Sequence, residues 1–163
     1  MAGVNVVSLQ VLDDQEVAPW TWHTVRFSYD SLESYDLWNM HNPAHPSFTD
    51  GPVTDWFNDP RSGLVFPSKR GWGVLEAEYA WRDGDYTELR HQFVRDPFGA
   101  PDATGLRHHP RSVGVQYFGA HWGIFVKPET PIAFQVYHNN PEPLVLADAQ
   151  LKLTIHDVEE PAV

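Results

Sequence analysis

Ten residues, Trp72-Gly-Val-Leu-Glu-Ala-Glu-Tyr-Ala-Trp81, constrain the possible architectures of this chain more than any other stretch. The run alternates with period two. Leu75, Ala77, Tyr79 and Trp81 share one side of an extended strand, and Val74, Glu76, Glu78 and Ala80 share the other. That split predicts a half-buried β-strand. Gly71 and Gly73 mark its start, where the chain turns into a sheet or lets another backbone come close. A second extended run, Tyr86 to Val94, follows across Arg82-Asp83-Gly84-Asp85. Asp-Gly between two such runs predicts a β-hairpin.

The rest of the chain reads the same way. Strands are expected over Val4–Leu12, Trp22–Phe27, Val113–Val126, Ile132–His138, Leu144–Leu146 and Gln150–Val158, with a short one near Gly63–Phe66. In the last long strand Leu151, Leu153 and Ile155 share a face opposite Lys152, Thr154 and His156. Turn residues separate these runs at the spacing of sandwiches and jelly rolls, and no helical period is sustained. Fourteen Pro and eleven Gly agree with a turn-rich chain. At 163 residues it is read as a single domain, 1–163. The segment 28–70 breaks the pattern with five prolines yet keeps Trp38, His41, Phe48, Trp56 and Phe57. A disordered linker seldom holds so many large side chains. This long ordered loop, with those five residues, is the expected partner-docking surface.

Composition excludes several functions. There is no Cys, so neither disulfides nor thiolate metal sites are available. A net charge of -11 repels phosphate backbones, which argues against nucleic-acid partners. No apolar run is long enough to span a bilayer, and the Met-Ala-Gly-Val-Asn start does not read as a secretory signal. Synthesis and retention in a cytoplasm are expected.

Several pieces resemble the trimeric jelly-roll superfamily of tumour necrosis factor and the complement-type globular head. Trp22-His23-Thr24-Val25-Arg26-Phe27 resembles its early W-x-x-V-x-F strand, and Tyr35-Asp36-Leu37-Trp38 with Met40-His41 its run into a loop. Phe66-Pro67 followed by Gly71-Trp72-Gly73-Val74 resembles the approach to its central strand. The stretch Val126 to Tyr137 resembles its late L-x-x-G-D-x-V-x-L-x-V pattern, except that Glu129-Thr130 replaces Gly-Asp. The resemblance covers about residues 17–158. It implies an all-β, antiparallel two-sheet jelly-roll sandwich that assembles as a homotrimer. The inner sheet would then hold the first strand, the central strand, Ile132–His138 and the terminal strand. Tyr79, Trp81, Phe134, Tyr137 and Ile155 would be core or trimer contacts. Acidic, Trp-rich domains of this kind without Cys look like tailed-phage virion proteins. The expectation is a non-enzymatic virion component made in the host cytoplasm: a capsid decoration, head fibre or minor tail protein, with other virion proteins as partners.

The chemistry-bearing residues are weighed against plainer readings. His108 and His109 are adjacent, so on a strand they point to opposite faces and cannot share an ion. Pro43 between His41 and His45 rules against a helical metal pair, and no His-x-His occurs. The acidic clusters, Asp13-Asp14 among them, are read as solvated turns, with a structural cation as the alternative. Glu76 and Glu78 could imitate a glycosidase pair, but solvent or an ion pair with Arg82 or Arg90 is the simpler reading. No catalytic residue, metal ligand or cofactor is assigned. Trp38, Trp56 and Phe57 could instead stack on sugars, making the alternative a lectin-like module for host-surface carbohydrate.

Overall fold

A computed structural model describes residues 3–30 and 35–159. Residues 1–2, residues 31–34 of the expected docking loop, and residues 160–163 lie outside the described residues. Nine strands occur among those described: β1 (Val4–Val11), β2 (Gln15–Val17), β3 (His23–Thr24), β4 (Gly71–Trp81), β5 (Glu88–Arg95), β6 (Asp102–Pro110), β7 (Gln116–Val126), β8 (Ile132–His138) and β9 (Leu144–His156). A short 3₁₀ turn, Pro60–Gly63, is the only helical piece among them. The strands form two antiparallel sheets. One runs β1-β9-β4-β7, with β2 also paired to β9, and the other runs β3-β8-β5-β6.

The central strand β4 lies between β9 and β7, and its alternation becomes burial. Leu75, Ala77, Tyr79 and Trp81 face the core while Glu76 and Glu78 face out. Across from them Leu151, Leu153 and Ile155 are fully buried from β9, and Phe93, Phe134 and Val136 meet them from the second sheet. Apolar side chains on both inner faces therefore hold the layers together.

The expected hairpin does not form. β4 pairs with β7 and β9, whereas β5 pairs with β6 and β8, so the 82–87 connection carries the chain from one sheet to the other. A two-residue hairpin turn needs residues with positive φ, and neither Asp83 nor Gly84 is among the positive-φ positions. The β9 side captures this segment instead. The Asn140 side chain accepts from the Asp85 N–H at 2.7 Å, the Asn139 side chain accepts from Thr87 and Glu88, and Arg82 N–H donates to Val145 O. Ile132–His138 is likewise displaced from its expected place: it is β8, in the second sheet between β3 and β5. Leu144–Leu146 and Gln150–Val158 merge into the single strand β9, and the expected strand at 63–66 shrinks to one bridge, Val65 to Ile132.

The long loop is ordered by its own contacts. Asp36 accepts from the Met40 and His41 N–H groups at 2.7 and 2.9 Å, and the buried His41 ring donates through Nε2 to Ser62 O at 2.7 Å. Leu64 and Phe66, with Phe48 beside them, cover Val94 and Ala133 on the outer face of the second sheet. Gly63 permits that approach: a Cβ there would lie 2.3 Å from Val25 O.

Candidate assembly surface

The edge strands β6 and β7 lie at the same end of the sandwich and touch across it, yet each has a paired neighbour on one side only. Free edges of nine and eleven residues are templates for association unless something covers them. Tyr117 and Trp122 leave β7 on opposite faces, one to the outer side of the sheet and one over the end of the sandwich. Val113 is 79% exposed and Tyr117 65%, and Leu106, Val115 and Trp122 are exposed as well. With Leu106 on β6, Tyr117 and Trp122 on β7, and Val113 and Val115 in the connection between them, five large apolar side chains exceed the scattered exposure expected of a surface.

Local sequence shapes this edge. Between His91 and Phe93 the β5–β6 register slips, so Gly105 and Leu106 together stand opposite Gln92. Gly105 adopts φ +66, and a Cβ there would sit 3.2 Å from Trp122 Cγ and 3.3 Å from Phe93. The bulge thus turns Leu106 outward and lets the Trp122 indole close the end of the sandwich. Beside it the His109 ring stacks on Phe118 at 4.2 Å, joining β6 to β7.

Around the corner is the outer face of the first sheet. Trp72 lies across Gly123, where a Cβ would be 2.8 Å from the indole. Next to it Glu76, Glu78, His121, Gln150 and Lys152 rim a shallow depression of about 510 Å³, floored by Ala77, Gly119 and Ala120. Glu76 has Lys152 and His121 as its cross-strand neighbours. The expected arginine partners are engaged elsewhere: Arg82 reaches Asp14 at 3.1 Å and Arg90 reaches Glu88 at 2.6 Å. Burial, with Glu78 nearby, raises the Asp148 carboxyl above its usual range.

Of the five residues expected at the core or an interface, Tyr79, Trp81, Phe134 and Ile155 lie wholly inside one chain's core. Tyr137 lies on the outer face of the second sheet, packed between Trp22 at 5.4 Å and the Arg90 guanidinium at 4.6 Å. The five loop residues do not converge. His41 is buried, Trp56 packs on the core, Phe48 joins the Phe66 cluster, and only Trp38 and Phe57 remain exposed, at 37% and 40%. The edge residues Leu106, Val113, Val115, Tyr117 and Trp122 were not singled out as a site. Their sequence signal was a strand with aromatics on both faces.

No protein-family model matches the sequence, and no curated protein is similar to it in sequence. Solved structures do share its fold. A structure described as Eiger TNF from S. frugiperda aligns at a TM-score of 0.62 with 11% identity, covering 98% of each chain. The globular domain of zebrafish complement 1qA aligns at 0.59 with 9% identity, covering 91% of this chain and 94% of that one. Murine APRIL aligns at 0.56 with 10% identity, covering 94% and 99%. With its two antiparallel sheets and strand order, the chain has the TNF-like jelly-roll fold.

Proposed function

We propose that this chain is a non-enzymatic assembly module that works as a homotrimer and serves as a structural component of a virion. The observation that carries the reading is the uncovered β6–β7 edge, with exposed Leu106, Tyr117 and Trp122 on its strands and Val113 and Val115 in the connection between them. An edge that packs on the outer sheet face of the next copy makes a heterologous contact. Three such contacts close into a ring and leave no edge free. The Trp72 face and the depression between Glu78 and Lys152 are the surfaces that would receive it. A non-enzymatic role is supported by the placement of the most perturbed titratable groups. His23, His91 and Tyr79 are turned to neighbours inside the fold instead of sharing a cleft. The virion role rests on the acidic, cysteine-free composition together with this assembly geometry.

Two measurements test it. Val113→Ser with Tyr117→Glu, both at exposed positions, should give a folded monomer by light scattering; a variant that keeps the wild-type mass contradicts the edge contact. Antibody labelling of purified virions should decorate capsid or tail at regular positions. Label confined to the particle-free fraction would overturn the virion role. The exposed Trp38 and Phe57 favour a second reading, a glycan-binding module. Glycan-array binding that disappears in Trp38→Ala and Phe57→Ala would support that reading.

A further inference from the structure

Under the exposed edge lies a pair of imidazoles that the assembly reading leaves unexplained. His91, 1% exposed, points inward from β5, and His109 points inward from β6 with its ring centroid 5.1 Å away. His91 Nδ1 meets the Tyr79 hydroxyl at 2.5 Å. Burial drives the Tyr79 phenol far above its usual range, so the hydroxyl keeps its proton. With Nδ1 engaged by that hydroxyl, His91 Nε2 is buried and has no hydrogen-bond partner. His109 Nε2 is also buried without one. Buried polar atoms are nearly always satisfied, so two unpaired nitrogens in adjacent rings call for a role.

Among the described residues, the surroundings offer no counter-charge. From β4 the pair meets Tyr79, from β7 Phe118 and from β8 Phe134. From β6 the charged groups acting on it are Arg107 and His108, both of the sign that opposes protonation. His108 itself turns to the outer face, where Glu88 binds it at 2.5 Å. A proton added to either ring is thus a buried, uncompensated charge beside another cation-forming group. Relief is available in one direction, by parting β6 from β7, because His109 itself forms the stacked contact between them.

We propose that the His91–His109 pair is an acid-operated latch for the assembly edge: protonation separates β6 from β7 and releases the copies from one another. This rests on the trimer reading. It makes the module stable at neutral pH and dissociable in an acidified compartment or medium. The latch is specific to this edge. Half-buried His23 and buried His138 hold partners at the opposite end, where His23 bonds the Gln15 side chain and His138 donates to Val17 O.

The test combines native mass across a pH series with amide hydrogen exchange, on the wild-type chain, the double variant His91→Gln/His109→Gln and the control His23→Gln. Wild type should dissociate between about pH 6.5 and pH 4, with β6 and β7 amides losing protection at least about tenfold before β3 and β8 do. The double variant should stay assembled through that range, and His23→Gln should behave as wild type. A double variant that dissociates at the wild-type pH overturns the latch. So does loss of protection that starts at β3 and β8. If the double variant does not fold, the wild-type order of exchange decides alone. A wild type that is monomeric at neutral pH would defeat the trimer reading, while exchange at the edge would still judge the latch.

Discussion

At the scale of single residues, the buried histidines dominate how this fold responds to its surroundings. Burial lowers His23 and His91 each from 6.5 to about 4, with neighbouring positive groups adding to the effect. A depressed histidine favours the folded state while it is neutral. Its contribution is complete above pH 6.5 and is lost as pH falls from 6.5 towards about 4, where the unfolded chain binds more protons. Denaturant titrations should therefore show stability falling across that window by up to about 3 kcal/mol for each ring. A flat profile would contradict the burial of both rings. Gly105 gives a second residue-scale prediction. Its φ of +66 strains any side chain and a Cβ would crowd Trp122, so Gly105→Ala should cost about 1–2 kcal/mol in equilibrium unfolding. The sequence already placed His108 and His109 on opposite faces. It did not show that His109 meets His91, because that contact depends on which strands pair.

At the scale of elements, the period of β4 and β9 was readable directly, and the faces read from alternation are the faces that are buried. Period two is set by the pleat itself, so neighbours cannot alter it. Pairing is different. The Asp83-Gly84 signal was answered by Asn139 and Asn140, whose side chains hold the connection open between the sheets, and nothing local to the turn announces them. β8 carries buried residues on both faces, since the long loop covers its outer side, and so its sheet could not be read from its pattern. The aromatics on both faces of β7 did carry information, because a strand at an edge with two apolar faces asks for a further partner. Core truncation tests the layer contact. Leu153→Ala, fully buried between β4 and β1, should cost about 2–5 kcal/mol, whereas Val113→Ser at the exposed edge should leave monomer stability within about 0.5 kcal/mol.

At the scale of the whole molecule, the jelly roll follows from strand order, and strand order leaves one end uncovered. Fold class could be read from turn spacing and the absence of a helical period. The location of the exposed patch could not, because the long loop drew attention with five aromatic and histidine side chains that largely pack on the chain itself. The central claim is that copies of the chain cover one another's edge. Light scattering on a size-exclusion column at neutral pH tests it most directly. The account predicts a particle of about three times the 18.6 kDa chain mass, unchanged on dilution across the micromolar range. A particle of one chain mass, with Val113 and Tyr117 open to solvent, would contradict it.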